Sequence, residues 1–506
     1  MANRKASSRV VTLPPPVGGW NTRDPLPEMP PKDAIHLTNM IPGVAEVRLR
    51  NGSADHATGL LTFVETLMVH SGVDGTEKLF AAVPTKIFNI TTAGAVGAAD
   101  ISSLTNGRWQ HTMFGTAAGN YLVAVNGADA GRYYDGTTWA SLSITGVAST
   151  DLVNVTPHVG RLWFVEKNKL DAWYLGVSAI SGAATKLPIG QFCRLGGYLL
   201  AMGSWSVDGG SGMNDNAVFI TSNGEVVVYQ GTDPSSSSTW SLVGVFRIAE
   251  PIGRRCVIKA GPDLAIITSA GVLPLSRVLS VNLSAQKSFS FSDKISPSFE
   301  TAYRVSKDSH GWQIIEWPRA NLIVCNIPIT ERIEQHQYVA NVLTGAWAPW
   351  EGLNAGCWAL MAGTLYYGNN SGTVRKFGSD WLDGTASISF RIQQAYTNFG
   401  GSNVKRFLAA RPLLTAPASF TPSIAIQVDF NTELLSLPGT SADSQASFWD
   451  TSPWDTSDWD ETSEPTSIWQ AVTGVGQVGS ITMTGSMSQG LVLNNTDVQF
   501  EVGGYL

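Results

Sequence analysis

Cysteines, charged residues and long apolar runs are all scarce in this chain of 506 residues. The four cysteines are Cys193, Cys256, Cys325 and Cys357. They are far apart and form no CxxC pair, so neither a zinc site nor a disulfide framework is predicted, and we expect buried thiols. No segment approaches the roughly 18 continuous apolar residues of a membrane-spanning helix, and no apolar run follows Arg4 and Lys5 as in a signal peptide. We therefore expect neither a membrane span nor secretion by a signal peptide.

Charged residues make up 14% of the sequence, below the usual quarter or so, which suggests that partners cover much of the exterior. A polar surface rich in Ser and Thr is the alternative explanation. No Lys or Arg follows Arg411, whereas eleven of the 40 acidic residues lie between Asp429 and Glu501. Such an end cannot grip nucleic acid, because phosphate binding needs cations. It could line a conduit to which DNA does not adhere, or simply keep an exposed domain soluble.

A repeated unit is present between residues 79 and 377. An apolar stretch, a tight polar turn and a second apolar stretch recur about every 40 to 55 positions. Turn residues such as Gly, Asn, Asp and Pro between short β-branched or aromatic runs are typical of β-hairpins. The seven predicted hairpins pair 79–83 with 87–90, 121–125 with 133–134, 162–165 with 170–175, 217–221 with 225–229, 264–268 with 272–275, 313–317 with 322–326, and 364–368 with 373–377.

Hairpins at a regular spacing indicate that neighbouring units stack, since a lone hairpin cannot bury both of its faces. Periods near 40 to 50 residues are typical of β-propeller blades. We predict an all-β fold in which residues 56–385 form a propeller of about seven blades, with six or eight as alternatives. An irregular β-sandwich with coincidental spacing is the competing hypothesis.

Two further regions flank the predicted propeller. Residues 1–55 contain many prolines, which favour extended chain, so we predict an arm that docks on a neighbour or remains disordered, with one helical turn within 31–40. Residues 386–506 change to longer strands with alternating polarity, at 387–396, 407–415, 423–430, 469–473, 480–487 and 498–502. This pattern predicts a separate antiparallel β-sandwich.

A Trp/Asp/Ser-rich loop at 438–467 interrupts the predicted sandwich. It carries Trp449, Trp454 and Trp459 at a five-residue spacing. Large aromatic side chains on a polar loop are candidate contacts to a partner, and Trp20 in the arm is a further candidate. Packing of the loop against its own sandwich is the alternative.

Several motifs suggest chemistry but lack its context. The GxGxxG spacing at 474–479 precedes a strand-like run and offers no helix N-terminus to a pyrophosphate. The run Tyr-Asp-Gly-Thr-Thr-Trp at 134–139 resembles a sialidase turn without its spacer, and we interpret it as a turn beside a packed Trp. The seven histidines show no metal-ligand spacing. We predict no cofactor and no metal.

A glycosidase needs two carboxylates about 5 to 10 Å apart, and a sialidase would use a tyrosine nucleophile, with an arginine cluster expected by resemblance to that family. Two polar connections carry candidate groups, namely Glu250 with Arg254 and Arg255, and Glu331 with Arg332 and Glu334. We interpret both groups as solvated ion pairs, and we predict that the chain is not an enzyme.

Both ends and the middle of the chain resemble short-tailed bacteriophage (podovirus) tail proteins of the nozzle or tail-hub class, including the packaged-DNA stabilisation group. The matching segments are Gly-Gly-Trp-Asn-Thr-Arg-Asp-Pro at 18–25, then 33–34, 39–42 and 47–52, the late-blade segments 337–341, 344–347, 365–368 and 372–374, the Trp-Asp-Thr-Ser loop, and 497–505. None of these strings is a catalytic signature.

The resemblance implies a structural virion protein in the phage tail, assembled in the host cytoplasm. It implies a homo-oligomer, most often a hexamer, that binds below the portal and adaptor rings beside other tail proteins. Its channel would retain packaged double-stranded DNA and allow its ejection without sequence-specific binding. A host-attachment or glycan-binding tail propeller, with the Trp-rich loop on a glycan, is the alternative hypothesis.

Overall fold

The computed structural model describes residues 8–208, 213–261, 263–378, 381–416, 420–431, 441–442 and 464–503. Strands make up 53% of the structure and helices 8%, so the predicted all-β class is confirmed. The chain forms two compact units. The central unit is Asp55–Gln337 with Gly352–Lys376, and the terminal unit is the described part of Met1–Ala54, Tyr338–Glu351 and Phe377–Leu506.

Seven sets of antiparallel strands follow one another along the central part of the chain, and we call them sheets 1 to 7; Trp347–Trp350 also pairs at the edge of sheet 6, and sheet 7 is part of a longer sheet. Their strands are Thr66–Ser71, Glu77–Val83 and Lys86–Asn89 in sheet 1; Gln110–Thr116, Gly119–Val125, Arg132–Tyr134 and Trp139–Ser141 in sheet 2; Leu152–His158, Arg161–Glu166, Asp171–Tyr174 and Thr185–Pro188 in sheet 3; Leu199–Asp208, Met213–Thr221, Glu225–Gly231 and Trp240–Arg247 in sheet 4; Val257–Ala260, Asp263–Thr268 and Gly271–Pro274 in sheet 5; Gln313–Trp317, Leu322–Thr330 and Glu334–Asn341 in sheet 6; and Ala355–Met361, Thr364–Asn369 and Val374–Phe377 in sheet 7. Short strands at Gly94–Ala95, Ile144–Thr145 and Gly182–Ala183 lie between them.

All seven predicted hairpins are confirmed as antiparallel strand pairs. Their turns use the left-handed backbone that the sequence pattern suggests, for example at Asn168, Asn321 and Gly224. A Cβ on Gly224 would lie 2.3 Å from the carbonyl oxygen of Ile248, so close packing also requires glycine there.

The first strands of the seven sheets contact one another in cyclic order. Each packs beside the first strand of the next sheet, and Ala355–Met361 of sheet 7 packs beside Thr66–Ser71 of sheet 1. Alternate residues of strand Glu77–Val83 pack against the two neighbouring sheets. Phe80 belongs to the core shared with sheet 2, whereas Leu79 belongs to the core shared with sheet 7. Strand Glu77–Val83 is thus buried on both faces from Leu79 to Val83.

A helical segment separates sheets 5 and 6, and the sequence analysis did not predict it. It contains the α-helices Leu275–Val278 and Ser296–Ser306 and the 3₁₀ turns Leu283–Phe289 and Asp293–Ile295. Further 3₁₀ turns lie at Ser149–Asp151, Ile189–Gln191 and Pro318–Ala320. Helix Ser296–Ser306 buries Phe299 and Ala302 three residues apart, which is the spacing of one helix face.

The remaining strands lie in the terminal unit, apart from Ser53–Thr58, most of which belongs to the central unit. They are Ser8–Leu13, Gly19–Trp20, Asp33–Thr38, Met40–Pro42, Val47–Leu49, Ser53–Thr58, Trp347–Trp350, Leu382–Asp383, Ala386–Gln394, Lys405–Ala416, Ser423–Val428, Ser441–Ala442, Glu464–Ser467, Gln470–Gly476, Gly479–Met487 and Val492–Val502. The six longer strands predicted after residue 386 are confirmed, with ends shifted by a few residues. One hydrophobic core takes Phe390 and Ile481 from one sheet and Phe407 and Phe500 from another.

The N-terminal segment is hydrogen-bonded into these same sheets. Ser8–Leu13 runs antiparallel to Val492–Val502, with Ser8 opposite Glu501 and Leu13 opposite Thr496. Asp33–Thr38 pairs with Ala386–Gln394, so the helical turn predicted within 31–40 is wrong. The alternation that buries Leu37 suits a strand, and strand pairing outweighed the local helix signal.

Candidate functional site

A polar cavity of about 640 Å³ opens in the central unit at loops that connect several of the sheets. Its wall includes residues that precede sheet 2, residues between sheets 4 and 5, and the end of the helical segment before sheet 6. A smaller cavity of about 330 Å³ shares Gln110, Arg254 and Arg255 with it.

The loop between sheets 4 and 5 presents two successive arginines to these cavities. The amide of Ile252 donates to the carbonyl of Ile267 at 3.0 Å, which ties the loop to sheet 5. Gly253 has φ of +71°, and a Cβ there would lie 2.9 Å from the Cβ of Trp312. The backbone conformation and the close contact both favour glycine, and they fix the direction in which Arg254 and Arg255 leave the loop.

Arg255 is used to hold sheet 1 in place. Its guanidinium donates to the carbonyl of Glu65 at 3.2 Å, to the Thr66 hydroxyl at 2.5 Å and to the carbonyl of Trp109 at 3.0 Å. Burial lowers its pKa below the usual range of arginine. Because three acceptors occupy its donors, Arg255 is a structural cation rather than a free one.

Two further arginines near the cavity are neutralised by carboxylates. Glu65 is only 3% exposed and accepts from Arg108 Nε at 3.1 Å and Arg332 Nη2 at 2.7 Å. Glu331 accepts from Arg108 Nη2 at 2.5 Å and from the amide of His310 at 3.0 Å. The two cations and two carboxylates therefore cancel. Glu331 and Arg332 are ion-paired as predicted, although their shared partner network includes the buried Glu65, and Glu334 Oε1 lies 2.9 Å from His336 Nε2 instead.

Arg254 differs from its neighbour. Within the described ranges, its guanidinium makes no hydrogen bond or ion pair, although the side chain is half-buried. Its Nη1 lies 3.7 Å from the position that a Cβ on Gly127 would take. Burial lowers the pKa of Arg254, and the nearby Tyr198 hydroxyl opposes that shift. The prediction that Glu250, Arg254 and Arg255 form solvated ion pairs is therefore wrong: Glu250 accepts from Tyr303, Arg255 donates to carbonyls and a hydroxyl, and no carboxylate among the described residues pairs with Arg254.

Two lysines reach the same cavity without a carboxylate partner in the described part of the chain. Lys167 Nζ donates to the carbonyl of Gly127 at 3.0 Å. Lys307 Nζ lies 5.7 Å from the centroid of the Tyr303 ring, within the range of a cation–π contact. Both lysines are exposed, and each ammonium group retains donors that are not used within the described residues.

The acidic groups of the cavity wall are Glu250 and Asp308. The Tyr303 hydroxyl donates to Glu250 Oε2. Burial, together with this hydrogen bond, raises the pKa of Tyr303 to about 12, so the phenol is neutral near pH 7. The sequence analysis placed Glu250 beside the two arginines but did not find Tyr303, because its helix was not predicted.

Two histidines report the positive electrostatic environment. Burial and then Arg255, Arg108, Arg332 and Arg254 lower the pKa of His310 well below its usual value. His111 lines the smaller cavity, and its pKa is lowered to about 3 by burial and by Arg255. Both imidazoles are therefore neutral near pH 7.

We expect His111 to make folding sensitive to acid. Its pKa is about 3 in the folded chain and returns to about 6.5 on unfolding, so the unfolded chain binds the extra proton between these values. The contribution of His111 to the free energy of unfolding is fully present above about pH 6.5. It decreases on acidification by up to about 1.4 kcal/mol per pH unit. Urea unfolding between pH 7 and 5 should show a shallower fall for His111→Gln. Equal slopes for the variant and the unaltered chain would contradict this assignment.

Of the four tryptophans predicted as partner contacts, only Trp20 lies within the described residues, and it does not line this cavity. The Trp20 ring is half-buried and meets Tyr338 edge-on at 5.3 Å within the terminal unit. Trp449, Trp454 and Trp459 lie outside the described residues. A contact between any of them and a partner stays a prediction.

The motifs set aside on sequence grounds have structural explanations. Asp135 Oδ1 accepts from the amides of Thr137 and Thr138, both at 2.7 Å, which closes the turn before the packed Trp139. The GxGxxG segment spans the turn between two strands, Gln470–Gly476 and Gly479–Met487. Both interpretations are confirmed.

Of the four thiols, Cys256, Cys325 and Cys357 are buried as expected, whereas Cys193 is half-buried. Burial raises the pKa of Cys256 and Cys357 to about 12. The described part of the chain holds no group of three or more His, Cys, Asp or Glu side chains suited to a metal ion. Within the same residues, no helix combines the length and apolar character that crossing a membrane requires.

No protein-family model matches the chain, and no curated protein matches it. The computationally designed Ika8 protein is similar in structure at 9% identity and a TM-score of 0.36, over 64% of this chain and 99% of that one. The β-propeller domain of Myceliophteria thermophila Cps50 (Swd1) is similar at 9% identity and a TM-score of 0.40, over 65% of this chain and 99% of that domain. Both TM-scores are below 0.5, so neither likeness supports an assignment.

Proposed function

We propose that the central unit is a seven-bladed β-propeller whose blades are sheets 1 to 7. The cyclic order of the first strands supports this proposal. The first strand of each sheet contacts the first strand of the next, and Ala355–Met361 of sheet 7 contacts Thr66–Ser71 of sheet 1. The cores shared by consecutive sheets fit this arrangement, since a blade buries both of its faces. Radial closure leaves few exposed sheet edges, which gives a stiff block.

We further propose that the chain is a structural subunit of a short phage tail, a nozzle or hub that forms a ring-shaped conduit for DNA. The sequence resemblance described above motivates this proposal. The structural observation that carries it is the pairing of two strands that are roughly 490 residues apart in the sequence, one from each side of the central unit in chain order. Ser8–Leu13 and Val492–Val502 form six consecutive residue pairs in one antiparallel ladder. A pull on either strand along its length must shear several hydrogen bonds together, which suits a part under mechanical load.

The excess of acidic residues in the terminal unit also supports the proposal of a DNA conduit. All of the eleven acids that follow Arg411 lie in a stretch without Lys or Arg. In this stretch Asp497 is compensated by Arg411 itself, whose Nη2 donates to Asp497 Oδ2 at 2.5 Å. A surface with excess negative charge repels the DNA backbone and lets a duplex slide past without binding. The partners would be further copies of this chain, the portal and adaptor, and other tail proteins.

Native mass spectrometry and electron cryomicroscopy of the purified full chain test both proposals. We expect a closed ring, most often of six copies, in which each subunit shows seven radially arranged sheets. Mass spectrometry of purified virions should detect the same chain. A strictly monomeric chain that is absent from virions would overturn the tail proposal, and a different number of sheets would overturn the propeller proposal. Glycan binding that is lost in Trp454→Ala would instead favour a host-attachment function.

A further inference from the structure

We propose that the cavity of the central unit is a binding site for a small molecule that carries a phosphate or carboxylate group, with Arg254 as its principal contact. This proposal does not depend on the tail function, because it rests on the central unit alone. The shared chemistry of the two ligand classes is an oxyanion that accepts hydrogen bonds from a guanidinium.

The charges of the cavity wall are unbalanced. Five cationic side chains line it, namely Arg108, Lys167, Arg254, Arg255 and Lys307, against the carboxylates of Glu250 and Asp308. The smaller cavity adds Lys259 and has no carboxylate among its lining residues. Since the hydrogen-bonding needs of Arg108 and Arg255 are met within the fold, the unmatched positive charge is concentrated on Arg254, Lys167 and Lys307.

Arg254 is held ready for such a ligand. Its backbone is fixed between Gly253, which packs on Trp312, and Arg255, whose guanidinium is anchored to sheet 1. The Arg254 guanidinium has five donors and no acceptor among the described residues, so an oxyanion in the cavity would replace water as its partner. The site therefore needs little rearrangement to bind, which favours affinity.

The cavity also has a suitable size and additional recognition groups. A volume of about 640 Å³ falls within the usual range for small-molecule sites. The Tyr303 ring and its hydroxyl, the latter already bonded to Glu250, provide one wall beside Lys307. A sugar acid or a sugar phosphate would place its anion on Arg254 and its ring and hydroxyls against this wall.

Isothermal titration of the full chain with two probes tests the proposal, namely inorganic phosphate and D-glucuronate, with sodium chloride keeping the ionic strength constant. We expect at least one probe to bind and Arg254→Gln to weaken its binding about ten-fold or more, because a charge-assisted hydrogen bond is lost. The exposed Arg277, which lies outside the cavity, provides the matched control Arg277→Gln, which should bind as the unaltered chain does.

The two probes distinguish the ligand classes, and competition between them would show a common site. Lys307→Gln, at an exposed position where folding is not at risk, should weaken binding by several-fold. Thermal unfolding of each variant checks that it is folded. The proposal is overturned if neither probe binds the unaltered chain, or if binding is the same in Arg254→Gln and Lys307→Gln as in the Arg277→Gln control.

Discussion

Replacing Arg50 with alanine should lower the free energy of unfolding of the terminal unit by about 3 to 5 kcal/mol, the largest effect that we expect from a polar residue in this chain. The Arg50 side chain is 1% exposed. It donates to Asn39 Oδ1 at 2.9 Å, to the carbonyls of Asn51 and Glu351 at 3.0 and 3.3 Å, and to both carboxylate oxygens of Asp383 at 3.0 and 2.5 Å.

The cost arises because alanine leaves the acceptors in place and removes their donor. Asp383 would become a carboxylate with little access to water and without its cation, which is more costly than the loss of a neutral hydrogen bond. Arg50→Lys keeps the charge but not the two-pronged geometry, so we expect an intermediate loss. Urea unfolding followed by circular dichroism measures these differences.

Arg48 offers a matched control, because it lies in the strand Val47–Leu49 with its side chain exposed. Arg48→Ala should change the free energy of unfolding by no more than a typical surface substitution, about 0.5 kcal/mol. If Arg48→Ala and Arg50→Ala have equal effects, the buried ion pair is not important for the stability of the terminal unit.

Trp163→Ala should destabilise the central unit by about 3 to 5 kcal/mol, because it empties the largest site in the core between sheets 3 and 4. Trp163 is 1% exposed. Its ring lies 4.8 Å from that of Tyr174, 5.7 Å from that of Phe219 and 5.6 Å from that of Trp240, with which it stacks. Tyr174 belongs to sheet 3, whereas Phe219 and Trp240 belong to sheet 4.

The loss would come from packing alone, since the Trp163 indole nitrogen has no hydrogen-bond partner in the described structure. Trp163→Phe retains part of the aromatic contact area and should lose less than alanine does. Phe289→Ala, at a position that is 41% exposed, is the control for aromatic truncation in the same unit. Thermal unfolding that is unchanged by Trp163→Ala would contradict the shared core between consecutive sheets.

The seven hairpins could be predicted from sequence because their signals are local. Turn residues that tolerate positive φ, such as Asn168 and Asn321, lie between runs whose alternation matches a strand. The helix Ser296–Ser306 was not predicted, because its apolar face is short and its Ser-rich surroundings suggest a loop. Strand Asp33–Thr38 was missed for a related reason, since its partner Ala386–Gln394 is some 350 residues away in the chain.

The candidate site could be predicted only as a pair of charged connections. Arg254 and Arg255 were seen together with Glu250, but their polar surroundings suggested ion pairs in solvent. The partners of each charged side chain depend on which loops lie side by side in the fold. Arg108, for example, donates to both Glu65 and Glu331, which are far apart in the sequence. No local pattern encodes such a meeting.

The sequence by itself determined that this protein is built from β-hairpins, because strand alternation and turn chemistry act between residues a few positions apart. Only the tertiary structure decided which partners the adjacent residues Arg254 and Arg255 have. Arg255 donates to two carbonyls and a hydroxyl on two distant segments and becomes part of the framework, whereas Arg254 meets no acceptor in the described structure. Side chains of neighbouring residues leave the backbone in different directions and therefore meet different parts of the fold. Long-range packing thus decides whether each charge is paired.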